Sequence, residues 1–268
     1  MNNSRIVCVI QARTGSTRLP NKILLPLAGK PLLIRMSERV MRSALIDETI
    51  IATTSDPEDD IVADLCKENN LKCYRGSVND LLDRHYNAAL ECKADIIVKI
   101  PSDCPLIDPD IIDKVLRFYK NNSDRFDYVS NLHPATYPDG NDVEVMPMVV
   151  LQQALKNSTS KMEREHTTPY IWERPEKFRI GNVEWETELN YSMSHRWTID
   201  YSQDYDLIKN IYEILYRVNP FFGINDILSL LNCNPSLQKI NSDLAGVNWY
   251  RNHLAELKTV TKDQTKIK

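Results

Sequence analysis

The chain has 268 residues, of which 42% are hydrophobic and 26% charged, with a formal net charge of -4. That length suits one large α/β domain or a core domain with an embedded subdomain, and the mild acidity gives no footprint for nucleic acid. No apolar run reaches membrane-spanning length, and the N-terminus enters a strand within a few residues without a signal-type segment, so a cytosolic protein without membrane contact is expected. Cys8, Cys66, Cys73, Cys92, Cys104 and Cys233 are scattered with no C-x-x-C pair, and are expected to be reduced thiols.

Ile6 to Ile10 is an apolar, β-rich run with the composition of a strand buried on both faces. It is followed by Ala12 to Lys22, where Arg13, Arg18 and Lys22 alternate with Thr14, Gly15, Ser16 and Thr17. Three cations among small hydroxyl residues, leaving a strand end, fit a loop that faces a polyphosphate; the alternative is a solvated basic connector. The Walker spacing G-x-x-x-x-G-K-[ST] does not occur, and Gly29-Lys30 followed by Pro31 reads as a turn into a helix.

That helix is predicted to run for about four turns, with Leu32, Met36, Val40 and Met41 as its core stripe. Thr49 to Thr53 is predicted as a strand. Asp56 then caps a helix, with Pro57 in its first turn, that runs to Asn69. Lys72 to Arg75 is a short strand, and Asp80 to Cys92 the next helix. Three strand-helix units with crossovers of βαβ length argue for a Rossmann-like α/β fold with a mostly parallel sheet. The fingerprint G-x-G-x-x-G is missing, which argues against NAD or FAD.

Asp95 to Ile100 is predicted as a buried strand, with Ser102-Asp103-Cys104-Pro105 placing a carboxylate just past its carboxyl end. Asp108 is the better cap for the helix that follows, which leaves Asp103 for the crevice. Tyr128 to Asn131 is a further strand, and Tyr137 to Val145 combines a turn with alternating acids that include Asp142 and Glu144. Residues from about 132 to 192 are expected to form an inserted lid or dimerisation subdomain, with helices over 147–157 and 161–173 and a β segment over 178–183. His195 to Asp200 is predicted as the returning core strand, with Ser202 capping a helix over 203–218. The main domain is expected over 1–232, and 233–268 as a helical extension ending in a polar tail that frays from Lys258.

The run Gln11-Ala12-Arg13-Thr14-Gly15-Ser16-Thr17-Arg18-Leu19-Pro20-Asn21-Lys22 resembles the nucleotide-binding signature of the sugar-acid cytidylyltransferases. These include CMP-Kdo synthetases, acylneuraminate cytidylyltransferases and, closest in wording, the SpsF spore coat polysaccharide group. The family usually has Gly where this chain has Asn21, a residue that tolerates left-handed backbone angles. Asp103-Cys104-Pro105-Leu106 matches its D-x-P-L signature. Arg196-Trp197-Thr198-Ile199-Asp200 resembles its late metal motif R-x-T-V-D-T-P-E-D, with Tyr201 and Ser202 in place of Thr-Pro. Glu163-Arg164-Glu165-His166-Thr167-Thr168-Pro169-Tyr170 resembles the SpsF group more than the CMP-Kdo synthetases.

The resemblance implies transfer of a cytidylyl group from CTP to an acidic sugar, with release of pyrophosphate and with Mg2+ held by Asp103 and Asp200. Arg13, Lys22, Asp103 and Asp200 then carry the chemistry, and Ala12, Arg13, Ser16, Arg18 and Lys22 bind the nucleotide. Arg75, Ser77 and Asp80 lie against the cytosine, unless Arg75 only caps a strand end and Asp80 only a helix. Acceptor contacts are expected at Asp142, Glu144, His166 and Arg196, with His166 as a surface or capping group and Asp200 as a helix cap the plainer alternatives. A homodimer through residues 132–192 is expected from apolar Tyr170, Ile171 and Trp172. A non-sugar or phosphorylated acceptor, a non-catalytic nucleotide-binding protein and a glycosyltransferase stay open as other readings.

Overall fold

A computed structural model describes residues 4–186 and 188–267. In chain order the first strand is β1 (Ile6–Gln11), a two-residue ribbon joins β2 (Pro26–Leu27) to β3 (Lys30–Pro31), and helix α1 (Leu32–Val40) leads to β4 (Glu48–Thr54). Next come α2 (Asp60–Glu68), β5 (Lys72–Gly76), α3 (Leu81–Glu91), β6 (Ile96–Pro101) and α4 (Pro109–Asn121). The central region holds β7 (Tyr128–Ser130), β8 (Glu144–Pro147), α5 (Met148–Asn157), α6 (Lys161–His166), α7 (Pro169–Trp172) and β9 (Ile180–Asn182). Helices α8 (Ser202–Val218), α9 (Ile224–Cys233) and α10 (Pro235–Gln238) follow.

Seven strands form one sheet in the order β5-β4-β1-β6-β8-β7-β9, parallel except where β8 runs against both β6 and β7. This is the mostly parallel Rossmann-like sheet expected from the sequence. Alternation along β1 explains its two layers of helices. Ile6, Cys8 and Ile10 face one core with residues of α1, α2 and α4, whereas Val7 and Val9 face the other with Leu82, Ala88 and Ala89 of α3 and Val150, Leu151 and Ala154 of α5. A third core, built on Leu207, Ile208 and Ile211 of α8, closes over Trp197 and Ile199.

The register puts the loops that matter side by side. Gln11 pairs with Pro101, so the loops leaving β1 and β6 emerge together at the carboxyl end of the sheet. Because β8 is antiparallel to β6, with Lys99 opposite Glu144, its beginning lies at that same end. The turn before β8 therefore delivers Asp139 and Asp142 to the crevice. Gly140 makes that turn possible. It has φ of +108°, and a Cβ there would stand 2.7 Å from the Trp197 carbonyl carbon.

Several expectations change. The segment 132–192 is not separate from the core sheet, since β8 lies between β6 and β7 and β9 forms the far edge. Residues 195–200 are not a strand. Their amides alternate between two loops instead of joining a ladder, Trp197 N–H donating to Asp139 and Ile199 N–H to the Asp103 carbonyl. The expected helix over 161–173 is broken by Thr167 at φ of +73°, ahead of Pro169. Helix α1 has nine residues rather than four turns. Tyr170, Ile171 and Trp172 are buried, which removes the apolar face on which a dimer was expected. The tail is held at its start, where the Glu173 carboxylate accepts from Lys258 N–H and, at 2.9 Å, from Thr259 N–H; Leu257 and Val260 are buried on either side.

Candidate active site

The loop after β1 is fixed from below by the carboxylate of Asp59, three residues after the Asp56 cap. Asp59 is buried, and one of its oxygens accepts from Thr14 N–H at 2.7 Å and from Thr14 Oγ1 at 2.8 Å, while the other takes the Thr54 hydroxyl. Thr14 in turn accepts from the amides of Ser16 and Asn21. Asn21 has φ of 59° and ψ of 20°, the left-handed geometry its side chain tolerates. The result is a tight basic loop with Arg13 and Arg18 exposed, Ser16 half-buried, Ala12 buried beneath, and Lys22 turned inward.

Lys22 Nζ donates to Asp103 Oδ2 at 2.8 Å, to the Ile199 carbonyl at 2.8 Å and to Asp200 Oδ1 at 3.1 Å. Arg18 Nη2 reaches the same Asp200 oxygen at 2.6 Å. Burial opposes the charge on Lys22, but Asp103 and Asp200 outweigh it and raise the ammonium above its ordinary range. Burial also opposes the Asp200 charge; Lys22, Arg18 and Arg196 together hold its carboxyl well below the usual range. Asp200 does not cap α8. That task falls to Asp204, whose carboxylate accepts from the amides of Asp200 and Tyr201, and Ser202 is the helix's first residue rather than its cap.

Arg196 sits beneath this centre, 1% exposed, and binds three carboxylates: Asp200 at 3.0 Å, Asp204 at 3.0 Å and Asp139 at 3.2 Å. It also donates to the Val247 carbonyl of the C-terminal segment. The expectation that Arg196 contacts an acceptor gives way to a buried junction between three stretches of chain. Glu144 is likewise buried, paired with Lys99 and accepting from the Tyr128 hydroxyl at 2.6 Å. Asp142 does face the crevice. Burial and the neighbouring Asp103 push its carboxyl up to about 6, and Asp139 is pushed up by burial and by Asp142.

The remaining candidates lie further round. Arg75 donates to the carbonyls of Thr54 at 3.0 Å and Asp56 at 2.9 Å and pairs with Asp60 at 2.5 Å, so its strand-end role is the one seen. Asp80 caps α3, accepting from Asp83 N–H, and pairs with Arg164; Ser77 Oγ accepts from Asp80 N–H. His166 is stacked on Trp249 with 3.8 Å between ring centroids, and burial pushes its imidazole down to about 3, so it is a neutral wall residue. Cys104 is buried, and its thiol is pushed well above its ordinary range by burial, which does not suit a nucleophile.

Reasoning from sequence missed Asp139, Asp59 and the C-terminal Trp249 and Tyr250. Asp139 had a signal in the Pro-Asp-Gly-Asn turn, but only the antiparallel placement of β8 shows where that turn points. Among the described residues, no group of three or more His, Cys, Asp and Glu forms a ready metal cage. The chemistry of the donors nonetheless fits a hard cation: the carboxylates of Asp103 and Asp200 meet at one point, where both accept from Lys22 and Asp200 also from Arg18 and Arg196.

Residues 7–223 match the family model described as cytidylyltransferase. Over 90% of its length the chain is 37% identical to an uncharacterised protein of Methanocaldococcus jannaschii, covering 96% of that protein. It is 30% identical to the spore coat polysaccharide biosynthesis protein SpsF of Bacillus subtilis, over 86% of this chain and 95% of that one. A cytidylyltransferase structure from Leptospira borgpetersenii superposes with a TM-score of 0.81 at 35% identity, covering 87% of this chain and 96% of its own.

Two outcomes test these assignments. Arg196→Met strands three carboxylates and is expected to cost about 3–5 kcal/mol in urea unfolding; unchanged stability would return Arg196 to a ligand-facing role. Asp142 has a folded pKa raised above its unfolded value, so its favourable share of stability is present below the unfolded pKa and is lost as pH rises through about 6. Asp142→Asn is therefore expected to gain more stability at pH 8 than at pH 5, and equal changes at the two pH values would contradict the placement.

Proposed function

Because the chain belongs to the cytidylyltransferase family, we propose that it transfers the cytidylyl group of CTP to a hydroxyl of an acidic sugar, releasing pyrophosphate. The observation that carries this reading is the convergence of Lys22, Asp103 and Asp200 beside Arg18, where β1 and β6 end. The similarity to a polysaccharide biosynthesis protein supports a sugar acceptor, and the motif resemblance supports its acidity.

The acceptor oxygen attacks the α-phosphorus as the bond to the bridging oxygen of pyrophosphate breaks. Arg13 and Arg18, exposed on the loop after β1, neutralise the triphosphate. Lys22 has its ammonium held at the boundary between loop and carboxylates, where negative charge moves from the α-phosphate to the leaving group. Asp103 and Asp200 would hold Mg2+, which supplies Lewis-acid charge at phosphate oxygens when bound. The Asp59 anchor keeps the loop in one shape, so that its cations need not be reordered for each turnover.

In a pyrophosphate-release assay with Mg2+ and a panel of Kdo-like and sialic-acid-like acids, CTP is expected to be used and ATP and GTP rejected. Asp103→Asn is expected to lower turnover about a hundredfold or more. Equal use of all three nucleotides would remove the cytidylyl assignment, and near-wild-type turnover of Asp103→Asn would remove the metal role.

A further inference from the structure

The family match stops at residue 223, yet the chain beyond it returns to the active centre. Residues 244–267 are tied to the body by several independent bonds. Arg196 donates to the Val247 carbonyl and the Glu173 carboxylate accepts from Thr259 N–H at 2.9 Å; just before the segment, Asn241 Nδ2 bonds both the Arg196 carbonyl at 2.9 Å and Asp204 at 2.8 Å, and within it Lys266 N–H donates to the Gly246 carbonyl at 2.7 Å. Trp249 stacks on His166. These ties set a short 3-10 turn, Trp249–Asn252, against the residue that follows Asp200.

On that turn, Arg251 Nη2 donates to the Tyr201 hydroxyl at 3.0 Å. Among the described residues no carboxylate lies within ion-pair distance of Arg251, although the chain has 37 acids and 33 Lys and Arg. Of the other arginines of the centre, Arg18 and Arg196 are paired with Asp200, whereas Arg13 stands exposed on the loop after β1. Tyr201 stands between two guanidinium groups: Arg18 lies over its ring, 5.7 Å from the centroid, and Arg251 holds its hydroxyl. Beside them is an open surface depression of about 420 Å³ lined by Tyr201, Arg251, Asn252 and Ile267. A half-buried arginine with a neutral partner keeps most of its five donors for an incoming anion.

We propose that Arg251, positioned by Tyr201, is the anion subsite for the acceptor: it receives the carboxylate of the acidic sugar and turns the reacting hydroxyl toward the α-phosphate. This rests on the acidic-acceptor reading given under Proposed function. Placement separates it from the triphosphate cations. Arg13, Arg18 and Lys22 come from the loop after β1, whereas Arg251 approaches Tyr201 from the C-terminal segment, with the Tyr201 side chain between it and Arg18. Tyr201 is also where the late motif departs from the pattern it resembles, and its hydroxyl is the atom that orients Arg251. Specificity for the acceptor is thereby assigned to a segment outside the nucleotide-binding core.

The test is calorimetry on the full chain without divalent cation, using 3-deoxy-manno-octulosonate and N-acetylneuraminate as acid probes, mannose and N-acetylmannosamine as neutral ones, and CTP and pyrophosphate as phosphate probes. Wild-type protein is expected to bind at least one acid and neither neutral sugar. Arg251→Met is expected to weaken that acid about tenfold or more, and Arg251→Lys less, with CTP and pyrophosphate within about twofold of wild type. Acid binding untouched by Arg251→Met would overturn the subsite alone. Loss of pyrophosphate binding in Arg251→Met would assign the depression to the leaving group instead, and overturn it equally. A wild type that binds CTP but neither acid would overturn the acidic-acceptor reading, and the subsite with it.

Discussion

One ammonium group joins stretches of chain that are far apart in sequence. Lys22 leaves the first strand, Asp103 the sixth, and Asp200 the irregular stretch before α8, and all three meet within hydrogen-bonding distance. Each carboxylate would be costly so close to the other without a shared cation. The same arrangement suits phosphoryl chemistry, since a cation shared by carboxylates can be re-shared with an incoming triphosphate or matched by a metal. Placing charge before the substrate arrives is what makes such a site inexpensive to use.

The fold supplies that meeting by topology more than by side-chain packing. Parallel β1 and β6 give two loops at one end of the sheet, and reversing β8 brings a third stretch, with Asp139 and Asp142, to the same end. A parallel strand in that place would have delivered its acids to the opposite side of the molecule. Arg196 then offsets the concentration of negative charge from beneath, taking three carboxylates and a backbone carbonyl at once. Its planar fork is suited to several acceptors in a way that a lysine's point charge is not.

The early βαβ units were legible because buried parallel strands and amphipathic helices write strong periodic patterns, as in Ile6 to Ile10 and in Met36 and Val40 of the α1 stripe. Arg18, Lys22, Asp103 and Asp200 were legible as well, since each sits next to a strand end or in a dense motif. What sequence reading could not supply was direction. Arg196 reads as the first residue of the late motif and as an acceptor contact, and only its burial and pairing show that it serves Asp139, Asp200 and Asp204. Residues 195–200 look like a strand because Trp197 and Ile199 are apolar at alternate positions. Their partners are loops, which no local pattern reveals. The placement of Trp249 on His166 and of Arg251 on Tyr201 depends entirely on long-range contacts.

The central claim is that Lys22 is shared between the carboxylates and the triphosphate. The most direct measurement is a double-mutant cycle for CTP binding without divalent cation, using Lys22→Met, Asp103→Asn and the pair. The account predicts that Asp103→Asn tightens CTP by releasing Lys22, that Lys22→Met weakens it, and that the double variant shows no gain from removing Asp103, with a coupling of about 1 kcal/mol or more. Additive effects, with Asp103→Asn tightening CTP equally whether or not Lys22 is present, would contradict it.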